Sequence, residues 1–381
     1  MITLSSRVQS LGVSLGNPYS AGTYSGVPYH LFGELERRNQ MTARINGDVR
    51  RWNDVFSGAL DLGESVRKRR PRPNKYWRFL PESIERSSQR FHRLQRELPE
   101  HNSVIQIGVG AVPDKSKRFM AHAEISIHTA ATLPGYSETY GFVSGRNRFL
   151  KRAMEGEKAF LESCDVIWTN SDWTAETFAW TGIPREKFFI QPPACNCADP
   201  GPIERQWDAP HILFVGKDWG RKGGDLLVAA FRGLQRKFPK ARLTIMGCTP
   251  DVAGDGIEIM GFLDKADEAS RRRIDDTFRS ATIFCMPSEW ESTGLVYMEA
   301  ALFGLPLVML SGQGRERIFP NEMALHLDGT DSASLADALI ALCGDPSTLK
   351  AMGDFGADHV RKNYTLPVVA QRLAERLALT F

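Results

Sequence analysis

The feature that most constrains the fold is an alternation of short apolar runs with helical segments, which begins near Pro210. HILFV (211–215) has the length of a buried strand, and Leu227, Phe231 and Leu234 follow it at helical spacing. The further runs of strand length are ARLTIMG (241–247), GIEIMGF (256–262), TIFCMPS (282–288) and LPLVML (305–310). Strands that alternate with helices form parallel sheets. The C-terminal half is therefore predicted to be one doubly wound α/β domain.

The N-terminal half repeats this alternation less regularly. A helix is expected from about Val27 to Arg38, and the strand-length runs are RVQSLGVSL, VIQIGVG, EISIHT and VIWTNS. The segment QPPACNCADPGP (191–202) interrupts both periodicities and indicates a linker. A chain of 381 residues with 42% hydrophobic composition also suits two domains better than one. We predict one Rossmann-like domain over residues 1–197 and a second over 198–362.

Composition limits the class of protein. The net charge of +3 argues against a general nucleic-acid binder. No apolar run reaches the ~20 residues of a transmembrane helix, and MITLSSRVQS lacks the pattern of a signal peptide, so a cytoplasmic location is expected. Cys164 and Cys285 lie in apolar runs and are expected to pack as small hydrophobes. Cys195 and Cys197 form a lone CxC, which favours an ordinary loop over a metal site.

The loop after the first strand of the second domain is rich in glycine and basic residues. ILFVGKDWGRKGGD passes from a strand through this loop into a helix and carries Lys217, Arg221 and Lys222. With the backbone amides near Gly223 and Gly224, these cations predict an anion site suited to a diphosphate. The P-loop pattern is absent, and the alternative is a basic loop that faces solvent.

A second helix is expected to begin near Thr293 and Gly294, within PSEWESTGLVYMEAALFG. Free amides at its N-terminus would favour an anion. Glu291 precedes this helix, whereas Glu299 lies about two turns inside it. The helical rise separates the two carboxylates by ~9–12 Å, so they cannot share a proton. Two separate hydrogen-bonding roles are predicted for them.

These two segments resemble the donor site of the GT4 family of retaining glycosyltransferases. The Glu-x7-Glu motif of that family is matched by Glu291 and Glu299, and its basic pair by Lys217 and Lys222, with Lys217 where the family has Arg. The segment SCDVIWTNSDWTAETF is similar to the family's last strand and helix before the linker. The resemblance implies the GT-B fold, in which two Rossmann-like doubly wound parallel-sheet domains face a central cleft. It also implies that residues 363–381 form a helix that packs back on the N-terminal domain.

The resemblance implies roles for individual residues. The catalytic residues would be Lys217, Lys222, Glu291 and His128. The donor-binding residues would be Gly26, Gly216, Arg221, Gly247, Leu263, Lys265, Thr293, Gly294, Leu295, Val296 and Glu299. Glu299 would hold the ribose hydroxyls, Glu291 a hydroxyl of the transferred sugar, and the helix amides the phosphates. His128 is expected at a strand end, with Thr129 where the family often has Asp.

The implied activity is retaining transfer of a sugar from a UDP- or GDP-sugar to a hydroxyl of a glycan or lipid-linked acceptor. The chain contains no Asp-x-Asp pair, so no metal or other cofactor is expected, and Lys217 and Lys222 would stabilise the leaving diphosphate. Two alternatives stay open. One is an epimerase or hydrolase of nucleotide sugars on the same fold, and the other is an inactive module that binds nucleotide sugars or glycans.

Residues 67–96 are the most unusual segment in composition. They contain eleven Lys or Arg and only two Glu, interleaved with aromatic residues. This density predicts an anionic partner, either a membrane surface or an acidic lipid-linked acceptor, and the alternative is a solvated basic face. A membrane contact would place the cytoplasmic protein at the inner face of the membrane. No RNA-binding module accompanies the segment, so no nucleic-acid partner is predicted.

Overall fold

The computed structural model describes residues 8–47, 76–133, 137, 148–329 and 331–380. The chain forms two compact units. Unit 1 comprises Met1–Ala194 and Leu366–Phe381, and unit 2 comprises Cys195–Thr365. The chain therefore changes unit after Ala194 and again at Leu366, where the sequence placed the boundaries after residues 197 and 362.

Unit 1 contains a sheet of six parallel strands in the order β2-β1-β3-β4-β5-β6. The strands are β1 (Ser10–Ser14), β2 (Met41–Asn46), β3 (Ser103–Ile107), β4 (Arg118–His122), β5 (Val166–Thr169) and β6 (Phe188–Ile190). Strands β1, β3 and β5 are buried along their whole length, as expected for a sheet covered on both faces. The strand order reverses between β1 and β3. This reversal is the topological switch point of unit 1.

Helices cover this sheet. They are α1 (Val27–Arg37), α2 (Pro81–Gln95), α3 (Ile127–Thr132), α4 (Arg148–Glu162) and α5 (Asp172–Glu176). Short 3-10 turns occur at Thr23–Gly26, Tyr76–Phe79, Ala179–Thr181 and Arg185–Lys187. The helix predicted from Val27 is confirmed and begins at that residue.

The strand predicted at EISIHT is wrong. The Ser126 hydroxyl accepts from the Thr129 amide at 3.2 Å and caps α3, so the second half of this segment, from Ile127, is helical. His128 therefore lies exposed in the first turn of a helix and not at the end of a strand. The strand of this region is β4, which follows a charged segment and ends at His122.

Unit 2 also contains six parallel strands, in the order β12-β11-β10-β7-β8-β9. The strands are β7 (His211–Val215), β8 (Arg242–Met246), β9 (Ile257–Gly261), β10 (Ile283–Cys285), β11 (Leu307–Leu310) and β12 (Ala324–Leu327). The first five coincide with the apolar runs of the sequence. The chain builds β7, β8 and β9 outward and then places β10 on the other side of β7. The switch point of unit 2 therefore lies between β7 and β10.

The helices of unit 2 pack in pairs. They are α6 (Gly224–Lys237), α7 (Glu268–Ser280), α8 (Leu295–Leu302), α9 (Arg315–Ile318), α10 (Ser332–Cys343) and α11 (Pro346–Asn363). Helix α6 packs against α10, and α8 packs against α11. Leu227, Phe231 and Leu234 are completely buried on one face of α6, as their spacing predicts. Cys285 is buried in the core of this unit, and Cys164 is buried in that of unit 1.

The C-terminal helix α12 (Leu366–Ala378) packs on α1 and on β4 and so belongs to unit 1. Its apolar face is buried and includes Val369, Leu373 and Leu377. Arg38, at the end of α1, donates to the Gln371 side-chain oxygen at 2.9 Å. The chain therefore returns to its first unit after completing the second.

The basic segment 67–96 is described only in part, because residues 67–75 lie outside the described residues. Helix α2 buries Ile84 and Phe91 and exposes Arg90 and Arg93. Among the described residues, no helix combines the length and apolar character that a membrane span requires.

Candidate functional site

Two loops come together at the switch point of unit 2, one between β7 and α6 and the other between β10 and α8. Because β7 and β10 are parallel neighbours, both loops leave the same edge of the sheet. Gly223 has a left-handed backbone (φ 74°), and a Cβ atom there would lie 2.2 Å from the carbonyl oxygen of Pro287. The two loops are therefore in backbone contact, which only glycine permits at this position.

Glu291 lies where these loops meet. Its Oε1 accepts from Arg221 Nη1 at 3.0 Å, from Ser288 Oγ at 3.1 Å and from Lys222 Nζ. The side chains of Glu291 and Lys222 are 11% and 12% exposed. The structure thus brings together three residues that the sequence predicted for one site, Arg221, Lys222 and Glu291.

The charges of this cluster are strongly coupled. Burial works to raise the pKa of Glu291, but the charges of Lys222 and Arg221 outweigh it and hold the pKa below its ordinary value. The carboxylate therefore stays ionised at neutral pH and fixes both cations. Arg221 also pairs with Asp218, whose Oδ2 lies 3.5 Å from Arg221 Nε and whose side chain is 41% exposed. The two cations are shared between one largely buried carboxylate and one more exposed carboxylate, and the cluster is a candidate site for an anion.

Arg315 supports the loop that carries Glu291. This arginine is fully buried and donates to the backbone carbonyl oxygens of Ser288 at 2.9 Å, Ser311 at 2.8 Å and Gly312 at 2.9 Å. Ser288 in turn donates to Glu291. The sequence analysis missed Arg315. The available signal was an arginine directly after the turn SGQG at the end of a predicted strand.

Both helices of the site begin after a glycine in the left-handed conformation. Gly223 precedes α6, and Gly294 (φ 71°) precedes α8, which confirms the predicted helix start. A glycine has no side chain that could accept from the first amides of the helix. The first amide of α6, that of Gly224, instead donates to the Trp219 carbonyl oxygen at 3.0 Å. Thr293 is 3% exposed, and its hydroxyl has no hydrogen-bond partner within the described residues. Leu295 and Val296 form the first turn of α8.

The second glutamate of the predicted motif has a different partner. Glu299, on α8, is 8% exposed and accepts from Lys265 Nζ at 2.7 Å. Lys265 and Leu263 lie on the loop that follows β9. Glu291 and Glu299 thus hold different cations, as the prediction of separate roles requires.

Lys217 lies apart from the Glu291 cluster. It is exposed, and its ammonium nitrogen lies 4.9 Å from the centroid of the Phe262 ring, which is itself 61% exposed. Gly216 and Gly247 lie beside each other at the ends of β7 and β8. Of the two predicted catalytic lysines, the structure brings Lys222 to Glu291 and leaves Lys217 at the surface.

The switch point of unit 1 carries the loop between β1 and α1. Tyr24 and Ser25 have left-handed backbones (φ 45° and 53°), and Gly26 (φ 84°) directly precedes α1. A Cβ atom on Gly108, which follows β3, would lie 2.7 Å from the Tyr24 hydroxyl. The loop after β1 therefore lies against the end of β3.

His122 lies at the carboxyl end of β4, where the sequence analysis expected His128. It is 7% exposed, and its Nε2 lies 2.7 Å from Asn170 Oδ1, so Nε2 carries the proton. Burial lowers the pKa of His122, and the hydrogen bond to Asn170 opposes this shift. The ring is therefore neutral at pH 7. The available signal was a histidine directly after the apolar run FMA.

The CxC pair lies at the start of unit 2. The Sγ atoms of Cys195 and Cys197 are 3.4 Å apart. Among the described residues, no group of three or more His, Cys, Asp or Glu side chains is placed to hold a metal ion.

The chain is an α/β protein of two units, each a doubly wound parallel sheet, and the candidate site lies at the switch point of unit 2. Residues 209–345 match the family described as Glycosyl transferases group 1. Sucrose-phosphate synthase from Thermosynechococcus elongatus aligns with a TM-score of 0.68 over 98% of this chain and 99% of its own, at 15% identity. WaaG, a glycosyltransferase involved in lipopolysaccharide biosynthesis, aligns with a TM-score of 0.61 over 97% of this chain and 99% of its own, at 13% identity. The chain has the GT-B fold, and its unit 2 carries the group 1 glycosyl transferase domain, as the resemblance implied.

Curated relatives share part of this sequence. The phosphatidyl-myo-inositol mannosyltransferase of Mycobacterium leprae is 33% identical over 42% of this chain and 44% of its own length. The D-inositol 3-phosphate glycosyltransferase of Pseudarthrobacter chlorophenolicus is 29% identical over 55% of each chain. A GDP-mannose-dependent monoacylated alpha-(1-6)-phosphatidylinositol monomannoside mannosyltransferase of Corynebacterium glutamicum is 28% identical over 41% of this chain and 44% of its own. The chain spans about half the length of these relatives or less.

Proposed function

We propose that this chain is a retaining glycosyltransferase that moves a sugar from a nucleotide-diphosphate sugar to a hydroxyl of a lipid-linked or glycan acceptor. The observation that carries the proposal is the buried cluster of Arg221, Lys222 and Glu291 between two glycine-started helices. This cluster occupies the switch point of unit 2, which is where doubly wound sheets bind ligands. The relatives named as mannosyltransferases, one of them GDP-mannose-dependent, support a UDP- or GDP-sugar as donor.

The charges of the cluster suit the departure of a nucleoside diphosphate. When the bond between the sugar carbon and the phosphate oxygen breaks, the diphosphate gains negative charge and the sugar becomes oxocarbenium-like. Lys222, Arg221 and the first amides of α8 would stabilise the leaving diphosphate. The acceptor oxygen then bonds to the same carbon, and its proton goes to the leaving diphosphate. The Thr293 hydroxyl, which has no partner within the described residues, is available to a phosphate oxygen.

The two glutamates would hold the sugar groups of the donor. Glu291 is fixed by two cations and would accept from a hydroxyl of the transferred sugar, and Glu299 would accept from the ribose hydroxyls. Lys265 Nζ donates to Glu299 and holds its carboxylate in place before the donor arrives. The base would lie against the turns at Gly247 and Leu263.

We further propose that the reaction needs no metal ion, because Lys222 and Arg221 already supply positive charge where the diphosphate would lie. Turnover should be the same with and without EDTA. Loss of turnover in EDTA that magnesium or manganese restores would contradict this part of the proposal.

Unit 1 is proposed to bind the acceptor. Tyr19 and Tyr29 are 58% and 40% exposed on or next to the loop after β1. The Arg44 guanidinium lies 4.4 Å from the centroid of the Tyr19 ring. Arg44 is paired with Glu36 at 3.2 Å and is only 13% exposed, so the proposal rests on the two exposed rings, which suit a cyclic acceptor. The inositol-containing compounds in the names of the relatives have this chemistry.

The exposed arginines of α2 are proposed to contact an anionic membrane surface. Binding to vesicles with anionic lipid should weaken as NaCl rises to about 0.5 M, because the Debye length then falls below ~5 Å. Binding that is unchanged at high salt would contradict an electrostatic contact.

A binding screen followed by product analysis tests the function. The melting temperature is measured with UDP, GDP, ADP and TDP in turn, and the nucleotide that belongs to the donor should raise it. A ligand that binds only the native state adds ~2.7 kcal/mol to the free energy of unfolding at a hundred times its Kd. The matching sugar donors are then incubated with and without acceptors. Release of nucleoside diphosphate that depends on the acceptor supports a transferase. Equal release without acceptor indicates a hydrolase, and conversion to a different nucleotide sugar without release indicates an epimerase. Binding without any turnover indicates an inactive module.

A further inference from the structure

The CxC loop has no part in the proposed reaction, but it holds two thiols close together. The two sulfur atoms are 3.4 Å apart, and a disulfide needs ~2.05 Å, so a movement of roughly 1.4 Å would join them. Cys195 is 2% exposed, whereas Cys197 is partly exposed and accessible to a reagent.

Two contacts hold this loop within unit 2. The Cys195 amide donates to the Tyr364 carbonyl oxygen at 2.7 Å. Asp199 accepts from Arg361 through both carboxylate oxygens, at 2.8 and 3.1 Å. Only three residues lie between the anchors, so the chain keeps the two thiols together. The conformational freedom that remains in this loop lies at Cys197 and its two neighbours.

The thiol of Cys197 also lies within electrostatic reach of the Lys265–Glu299 ion pair. The hydrogen bond with Cys195 and burial raise the pKa of Cys197, and the charge of Glu299 raises it further while that of Lys265 lowers it. The same ion pair is proposed to hold the ribose of the donor. A change at Cys197 is therefore felt at one side of the donor site.

We propose that Cys195 and Cys197 form a dithiol modification site, which closes to a disulfide by exchange with a small disulfide and thereby weakens donor binding. The Cys197 thiolate attacks one sulfur of the small disulfide and releases one thiol. The Cys195 thiolate then attacks Cys197 in the mixed disulfide and releases the second. The two cysteines are oxidised, the small disulfide is reduced to two thiols, and the two cysteine protons go to them.

The bond formed is expected to be reversible. A disulfide that spans one intervening residue departs from relaxed geometry, and strained disulfides are the readily reduced, regulatory ones. Closure moves the Cys197 segment, which lies within electrostatic reach of Lys265 and Glu299. Because this ion pair is proposed to hold the donor ribose, we expect donor affinity to fall about tenfold. This second part rests on the proposed function, and the chemistry of the dithiol does not.

The chemistry is tested on the full chain with oxidised glutathione, followed by alkylation and peptide mass analysis. The peptide with Cys195 and Cys197 should lose two hydrogens without retaining glutathione, and Cys248→Ser, which leaves the pair intact, should behave the same. Cys197→Ser, at a partly exposed position, should form no such disulfide. An unmodified peptide, or a glutathione adduct that persists on the wild-type pair, would overturn the proposal.

The effect on the donor is tested by titrating UDP and GDP into reduced and oxidised protein. The expected result is about tenfold weaker binding after oxidation, reversal by dithiothreitol, and no change in Cys197→Ser. A disulfide that forms but leaves affinity unchanged would overturn the link to the donor site. Failure of the reduced protein to bind any nucleotide would instead refute the proposed function and leave the mass result standing.

Discussion

Both units are doubly wound sheets of six parallel strands, but their strand orders differ and their switch points are built differently. In unit 2, buried charges join the loops after β7 and β10, and the left-handed position before each helix is a glycine. In unit 1, the loop after β1 places Tyr24 and Ser25 in left-handed conformations and is flanked by exposed tyrosine rings. A fixed cluster of charges suits a chemical group that is the same in every donor, such as a diphosphate. Exposed rings on a strained loop suit a partner of different shape, and such strain is typical of functional loops.

Each unit contains a largely buried glutamate, Glu157 in unit 1 and Glu291 in unit 2. The largest expected effect is the pH dependence of stability that Glu157 causes. Glu157, on α4, is 1% exposed and accepts from the Ile127 amide at 3.1 and 3.2 Å. Burial raises the pKa of Glu157 to about 8, so it is mostly protonated at neutral pH, in contrast to Glu291. An acid with a raised folded-state pKa contributes stability that is complete below its unfolded pKa of about 4.5 and is lost as pH rises toward 8. The loss should be on the order of 3–5 kcal/mol.

Urea denaturation of wild type and Glu157→Gln from about pH 5 to about pH 9 measures this loss. The free energy of unfolding of the wild type should fall with pH relative to the variant, since glutamine is neutral throughout. Parallel pH profiles would show that Glu157 is ionised in the folded protein.

The next effect separates the two predicted lysines of unit 2. Lys222→Ala should lower kcat by ~10²–10³, because it removes a fixed cation from beside the leaving diphosphate. Lys217→Ala should lower it only about tenfold, because an exposed, flexible ammonium contributes less. Steady-state kinetics with a saturating donor checks both variants. Equal losses would mean that Lys217 leaves Phe262 and joins the Glu291 cluster when the donor binds.

A smaller effect distinguishes the two histidines of unit 1. His122→Ala leaves the buried Asn170 side chain without its partner and should cost about 1–3 kcal/mol of unfolding free energy. His128→Ala changes an exposed side chain and should stay within ~0.5 kcal/mol. Chemical denaturation of both variants at one pH measures the two losses of unfolding free energy. Similar costs would contradict the placement of His122 inside the unit.

The smallest effect concerns the strained loop. Ser25→Gly should raise the free energy of unfolding by ~0.5 kcal/mol, because relief of the left-handed strain exceeds the extra entropy of glycine. Gly294→Ala is the matched opposite in unit 2 and should destabilise, since a Cβ there would lie 2.6 Å from the Tyr297 ring. Thermal melts of both variants test the contrast. A loss of stability in Ser25→Gly would show that the hydroxyl matters more than the strain.

The sequence predicted unit 2 well because its strands are continuous apolar runs and its loops carry glycine at the helix starts. Arg221, Lys222 and Glu291 meet because β7 and β10 are neighbours, and that pairing follows from the switch-point rule. The contact of Lys217 with Phe262 could not be predicted, because several orientations of a long exposed side chain have similar energies.

The predictions that failed in unit 1 concern segments whose sequence pattern is ambiguous. EISIHT alternates polar and apolar residues like a half-buried strand, but a single hydroxyl cap at Ser126 favours the helix. β4 begins at the end of the charged segment DKSKR, and these charges obscure the short apolar run that forms the strand. Tertiary packing decides such cases, and one sequence without structure does not contain that information.

Glu291→Gln tests the central claim most directly, because it removes one charge and keeps the shape of the side chain. Glu289→Gln is the matched control, since Glu289 lies in the same loop and is exposed. With unfolding free energies measured alongside, the kcat of Glu291→Gln should fall by ~10²–10³ while that of Glu289→Gln stays within about twofold of wild type. Turnover near the wild-type value in folded Glu291→Gln would contradict the assignment of this cluster as the donor site.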